Sequence, residues 1–289
     1  MTSPLNAHVI GHPISHSRSP IIHSYWLKRY GIAGTYTARE VASGADLQRF
    51  FGEMRAGASV GCNVTIPHKM AVAPLVDEVL PEARALGSIN TVWREHDRLI
   101  ATSTDGLGYL AHLNRSAPQW RDGDGTVYII GAGGAARAII NALIKDGCER
   151  FQITNRTAER TDQLIAAVTA SAQALDVSPR LEMTAQEWGA RDVAVSSAAL
   201  IINTTALGMT GQPALDLDLA TAADHCVVSD IVYAPLETPL LLAARQRGLK
   251  TVDGLGMLLH QAVPGFEKWF GVRPDVTVDL RDRILADLV

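Results

Sequence analysis

Two spacings of apolar and polar positions alternate along this chain. Short apolar runs bounded by glycine, proline or polar clusters predict strands, and apolar residues recurring every third or fourth position predict helices. Up to about residue 100, the strand pattern ends first at Val9-Ile10-Gly11 and returns over 36–41 and 61–66. The helical pattern covers 21–30 and 46–55, with Gly31 placed to stop the first helix in a left-handed residue. Pro67 halts the third strand and suits the first position of a following helix. This alternation predicts a layered α/β unit with parallel strands.

A second alternation starts at Thr126. It predicts a strand over 127–130, a tight turn over 131–134 and a helix over 135–145 ended by Gly147. A strand over 150–154, a helix over 158–170 and strands over 200–204 and 226–232 come next. A helix over 238–247 ended by Gly248 and a strand over 250–252 complete it. The stretch 171–197 has no dominant period, and no element is assigned there. Residues 257–270 read as one last apolar helix, whose destination the pattern leaves open. Two alternations predict two domains, and 289 residues exceed what one core usually organises.

Composition narrows the class. At 47% hydrophobic and 19% charged residues the chain has enough apolar surface to fold. Lys plus Arg is 26, Asp plus Glu is 30, and the net charge of −4 gives no general pull on phosphate backbones, so no nucleic-acid partner is expected. Cys62, Cys148 and Cys226 lie far apart, which argues against a disulfide framework and a thiolate metal site. The most apolar long window, 127–144, is interrupted by Arg137, Asn141 and glycines, so no membrane span is expected. The opening MTSPLNAHVIGHP lacks the basic, apolar, small-residue order of a signal peptide, and the cytoplasm is the expected compartment.

Gly131, Ala132, Gly133, Gly134 and Ala135 come after a predicted strand and open a predicted helix. Residues without Cβ let backbone N–H groups approach a pyrophosphate, and the helix N-terminus adds partial positive charge there. A purely structural turn is the alternative. At the end of the next strand, where an acid would hold the ribose hydroxyls of NAD, the chain reads Thr154-Asn155-Arg156-Thr157, with Arg160 one turn on. Guanidinium groups offer paired donors to a phosphate, so the expected cofactor is NADP, recognised at its 2′-phosphate. With Arg156 and Arg160 four apart, one helix face brings both to a single anion. A helix start capped by Thr157, with solvated arginines, is the competing reading.

Polar residues also cluster at predicted strand ends of the first domain. Ser15, Ser17 and Ser19 interleave with His16 and Arg18; Asn63 and Thr65 precede Lys69; Asn90-Thr91 and Thr104-Asp105-Gly106 lie further on. Each also reads as a cap, a turn or a solvated side chain. Together they suit a small polyhydroxylated acid. Lys69 and Asp105 form the chemical pair. Moving a hydride to or from a secondary alcohol needs a group that returns or takes the hydroxyl proton. A first-turn position after Pro67 sets Lys69 against the positive end of a helix, which favours its neutral form, while Asp105 acts the other way.

The chain resembles the shikimate dehydrogenases. The resemblance rests on GHPISHSRSP near the start, NVTIPHK at 63–69, GSINT at 87–91, STDGLG at 103–108, GAGGAAR from 131, NRTAER from 155 and DGLGMLLHQA from 253. It implies a substrate-binding catalytic domain over 1–107, a Rossmann-type NADP-binding domain over 108–253, and C-terminal helices over 254–289 that return to the first domain. It implies NADPH-dependent, reversible reduction of 3-dehydroshikimate to shikimate in aromatic amino-acid synthesis. By motif position, Lys69 is the general acid/base and Asp105 its partner. Ser17, Ser19, Thr65, Asn90, Asp105, Tyr233 and Gln261 are substrate contacts. Gly131 to Ala135, Asn155, Arg156, Thr157, Arg160, Ile231 and Gly254 are cofactor contacts. Ser103 stands where relatives commonly carry Asn, and Ile231 where many carry Met. A quinate/shikimate or amino-shikimate dehydrogenase of the same fold, or a ligand sensor without turnover, are the alternatives. The expected assembly is a monomer or homodimer.

Overall fold

A computed structural model of the chain describes residues 5–121, 125–175, 177 and 180–288; the first four residues and part of the unassigned stretch 171–197 lie outside the described residues. Two compact units divide it: one runs up to Thr104 and resumes at Gln261, and the other is Asp105–His260. The resemblance places these breaks a few residues away, after 107 and 253.

In the first unit, β1 (Leu5–Gly11), α1 (Ser19–Tyr30), β2 (Gly34–Glu40), α2 (Gly44–Arg55) and β3 (Gly61–Val64) keep the expected alternation. Gly31 takes φ +63 at the end of α1, and the N–H groups of Gly31 and Ile32 return to the carbonyls of Lys28 and Leu27. Then come β4 (Glu78–Val79), α3 (Pro81–Leu86), β5 (Thr91–Glu95) and β6 (Arg98–Thr102). The sheet order is β2-β1-β3-β5-β6-β4. It is mixed, which corrects the all-parallel expectation: β5 runs antiparallel to both β3 and β6. Glu95 pairs with Arg98, so only His96 and Asp97 form the turn, with His96 at φ 56. So short a connection can join only antiparallel neighbours. A second correction falls at Pro67. The chain beyond it makes a three-residue 3-10 turn, His68–Met70, and no α-helix.

The second unit opens on α4 (Asp105–Ser116), where the sequence suggests a loop turn at Thr104-Asp105-Gly106. It continues through β7 (Thr126–Ile130), α5 (Gly134–Lys145), β8 (Arg150–Thr154), α6 (Ala158–Ala174), β9 (Glu182–Gln186), β10 (Ala198–Asn203), β11 (Val227–Asp230), α7 (Pro239–Gln246), β12 (Lys250–Val252) and α8 (Leu255–His260). The order β12-β11-β10-β7-β8-β9 is parallel throughout, the doubly wound arrangement of dinucleotide-binding folds. Ile129, Phe151 and Leu200 face α4, α5 and α6, while Tyr128, Ile201 and Val228 face α7 on the opposite side. Burial on both faces explains why these strands read as continuous apolar runs.

The chain then rejoins the first unit with α9 (Ala262–Phe270) and α10 (Val278–Leu288). The single helix expected over 257–270 is two, α8 and α9, meeting at Gln261. Pro264 cannot donate to the carbonyl of His260, so the helical ladder lapses there. α9 rests on the first sheet, with Trp269 donating its indole N–H to the carbonyl of Val92 at 2.9 Å. Among the described residues no helix is long and apolar enough to cross a membrane.

Candidate functional site

Within the first unit, the predicted substrate residues divide into a buried network and a more open rim. Asn90 is buried just before β5, and its amide oxygen accepts from the Thr104 N–H (2.9 Å) and the Thr91 hydroxyl (2.9 Å). Those donors fix the amide, so its nitrogen faces Thr104 Oγ1 at 3.1 Å and Gln261 Oε1 at 3.5 Å. Thr104 donates its hydroxyl to the Gln261 carbonyl at 2.8 Å. Asn63 joins the network through its amide nitrogen to the Asn90 carbonyl (3.1 Å) and accepts from the Tyr36 hydroxyl (2.5 Å). The structure therefore brings Asn90 and Gln261 together, with Asn63 and Thr104 as supports.

Ser19 is buried as the first residue of α1, and Ser17 is half-buried. The helix-capping alternative fails for Ser19, since the capping position falls on Arg18 and no side chain caps the helix. Ser17 Oγ does accept from the Ser19 N–H, at a long 3.4 Å. Thr65 lies just past β3, where its methyl and the Ile66 carbonyl press so close to Gly11 that a Cβ there would lie 2.4 and 2.8 Å from them. Lys69 is half-buried on the 3-10 turn, and its carbonyl accepts from the Ile89 N–H at 2.8 Å. With no α-helix behind Pro67, the helix-terminus argument for Lys69 does not hold. Asp105 begins α4 in the second unit, where a carboxylate is favoured by the helix N-terminus.

The second unit holds the residues expected to contact the cofactor at the carboxyl ends of its strands. Gly131 has φ +113, donates to the Thr154 carbonyl at 2.8 Å, and would set a Cβ 2.5 Å from Thr204 Oγ1. Gly133 precedes α5 with no side chain capping the helix, and a Cβ on Gly133 or Gly134 would meet no protein atom within 4 Å. Uncapped N–H groups behind open glycines fit a bound pyrophosphate. Asn155 Nδ2 donates to the Thr157 carbonyl at 3.0 Å, and Arg156, Thr157 and Arg160 are exposed. Thr157 precedes α6 but its hydroxyl does not cap it. α6 starts at Ala158, so Arg156 lies before the helix, and the shared-helix-face argument for Arg156 and Arg160 is corrected. Both still flank the turn, which carries no carboxylate over 154–157. Ile231 and Tyr233, each partly exposed, leave β11, and Gly254 packs so tightly that a Cβ would lie 2.2 Å from the Ile231 carbonyl oxygen.

Sequence reasoning missed Asn203, Asp230 and Thr238. All three are fully buried and hydrogen-bonded to one another beside these segments. A carboxylate at the end of the apolar run CVVSD was the available signal.

An α/β chain with a doubly wound sheet, an uncapped glycine turn and guanidinium groups past the second strand defines the dinucleotide-dependent dehydrogenase class. Sequence profiles narrow it: a shikimate dehydrogenase substrate binding domain matches residues 9–92, shikimate / quinate 5-dehydrogenase 115–224, and a shikimate 5′-dehydrogenase C-terminal domain 254–281. The shikimate dehydrogenase (NADP(+)) of Azorhizobium caulinodans is 47% identical over 97% of this chain and 95% of its own. That of Mesorhizobium japonicum is 48% identical over 98% and 96%. Among solved structures, quinate dehydrogenase from Corynebacterium glutamicum in complex with NAD aligns with a TM-score of 0.88 at 29% identity, covering 98% of this chain and 99% of that one. Shikimate 5-dehydrogenase from Thermus thermophilus in complex with NADP(H) and shikimate aligns at 0.81 and 30%, covering 99% and 100%. The chain belongs to the shikimate dehydrogenase family.

Proposed function

We propose that this chain is an NADP-dependent oxidoreductase that reversibly reduces 3-dehydroshikimate to shikimate, a step of aromatic amino-acid synthesis. The observation that carries the reading is identity of 47% along almost the whole chain to a relative named for that reaction and cofactor. The bound nicotinamide would supply or accept the hydride. The N–H groups opening α5 hold the pyrophosphate, and Asn155, Arg156, Thr157 and Arg160 hold the 2′-phosphate. Ile231 and Gly254 line the cofactor side. Ser17 and Ser19 bind the substrate carboxylate, while Thr65, Asn90, Tyr233 and Gln261 read its hydroxyls. Lys69 Nζ gives a proton to the alkoxide forming at the reduced carbon and takes it back in reverse, with Asp105 orienting the hydroxyl and the ammonium. The reaction is assigned to the cytoplasm, to a monomer or homodimer, with a small molecule as partner.

A quinate-using reading is favoured by one observation, the high structural likeness to a quinate dehydrogenase. Steady-state rates with shikimate and quinate, each against NADP and NAD, decide between them. The expected result is efficient turnover with shikimate and NADP alone. Comparable efficiency with quinate and NAD would overturn it.

A further inference from the structure

Asn203 and Asp230 are paired neighbours at the carboxyl ends of β10 and β11. Asp230 Oδ1 accepts from Asn203 Nδ2 at 3.0 Å and from the Val232 N–H at 2.9 Å, and Oδ2 accepts from the Thr238 hydroxyl at 2.7 Å. Thr238 in turn caps α7, accepting from the Leu241 N–H at 3.3 Å. On the other side, Asn203 Oδ1 accepts from the Thr205 N–H (3.0 Å) and hydroxyl (2.7 Å), and Nδ2 also reaches the Leu207 carbonyl (3.0 Å). That carbonyl can only accept, so the amide has one orientation. Thr204, between them, donates both N–H and hydroxyl to the Ile130 carbonyl, each at 2.8 Å, and packs on Gly131. One connected set of polar groups thus runs from the glycine turn to the segment 231–238.

We infer that Asp230 is a positioning residue for the reaction: its carboxylate, held by Asn203, Val232 and Thr238, fixes the path of the segment that carries Ile231 and Tyr233. The inference rests on the function proposed above. Burial pushes the Asp230 carboxyl up to about 6, so an ionised group here is costly, and an apolar pair would join two strand ends at less expense. What the carboxylate adds is direction. Three donors converge on it, one from the last residue of β10 and two from the segment that follows β11, and both strands end where doubly wound sheets bind their ligands. The backbone of 231–233 therefore has one path, and Tyr233 one place.

The test is steady-state kinetics of the full chain with Asp230→Asn, which keeps the shape but adds donors, and with Thr238→Val, which removes one donor together with the α7 cap and leaves the carboxylate. Thr238→Ser restores that donor. All are assayed well below their melting temperatures. In Asp230→Asn and Thr238→Val, KM for shikimate should rise about tenfold, as expected for a displaced polar contact, while KM for NADP, set mainly by its phosphates, stays within about threefold. Thr238→Ser should recover most of the loss. A merely structural role would lower kcat with the folded fraction and leave both KM values alone, and that outcome overturns the inference. An equal rise in both KM values overturns it too. If Asp230→Asn does not fold, Thr238→Val decides. Absence of shikimate turnover in the unmutated protein would overturn the proposed function and this inference with it.

Discussion

A single ammonium group on a three-residue turn carries the proton chemistry proposed for this chain. Lys69→Ala should lower kcat by about 10²–10⁴-fold, the usual cost of losing a positioned acid/base group. KM for shikimate should change far less, because serine hydroxyls and amides supply most of the proposed contacts. Retention of more than half the turnover in a steady-state assay would remove Lys69 from the mechanism. Arg156 makes a different kind of prediction. It is exposed and has no acid beside it over 154–157, so Arg156→Ala should weaken NADP about tenfold or more in kcat/KM and leave NAD nearly untouched. The preference for NADP should also fall with added salt, since exposed charges are screened. At this scale the candidates were legible, because glycines, arginines and a lysine announce their chemistry by type. The reasons attached to two of them were not: the Lys69 argument assumed an α-helix where the chain makes a 3-10 turn, and the Arg156 argument assumed a helix that starts two residues later.

Elements were legible where burial is two-sided. β7 and β10 read as apolar runs because both faces are covered, and Gly147 and Gly248 mark the ends of α5 and α7. The β5–β6 hairpin was not legible, because Arg94-Glu95-His96-Asp97-Arg98 reads as a polar loop although it contains strand ends and a two-residue turn. α4 was hidden by its opening Asp-Gly, residues that signal a turn. Gly106 is there for contact: a Cβ would lie 2.3 Å from the Ala138 carbonyl oxygen of α5. Gly61 makes the same argument testable in the first unit. A Cβ there would lie 1.9 Å from Trp269 Nε1 and 2.5 Å from the Val92 carbonyl oxygen. Gly61→Ala should therefore lift α9 off β3 and cost about 1–3 kcal/mol in urea unfolding, the usual range for overpacking. A midpoint equal to that of the unmutated protein would show that α9 is not seated as described.

At the scale of the molecule, acid sensitivity is expected from two histidines of lowered pKa, His23 buried in the first unit and His260 partly buried in the second. His23 is enclosed by Trp26, Phe266 and Trp269 and stacked on Tyr36 at 3.9 Å, and burial pushes its pKa down to about 3, with Asn63 acting the other way. Burial, with His112 and Arg115, lowers His260 to about 4. A pKa lowered in the folded state means the unfolded chain takes up the proton first. The stability that depends on neutral His23 is thus present above about pH 6.5 and is lost as the pH falls toward 3. At about 1.4 kcal/mol per pKa unit this amounts to a few kcal/mol. His23→Phe should flatten the fall in melting temperature between pH 7 and 4.5. An unchanged fall would place the acid sensitivity elsewhere.

The chain passes from the first unit to the second at Thr104 and returns at Gln261. On a ribosome this connectivity fixes an order of events. Residues 105–260 emerge as one uninterrupted stretch and can close their parallel sheet as soon as β12 arrives. The first sheet, though made earlier, must wait with the face over β3 and β5 bare until Trp269 and its helix appear. An apolar sheet face held open that long invites wrong pairings and chaperone capture. The newly made protein should therefore gain its nucleotide-binding half before its substrate-binding half, although the latter is the first to be translated.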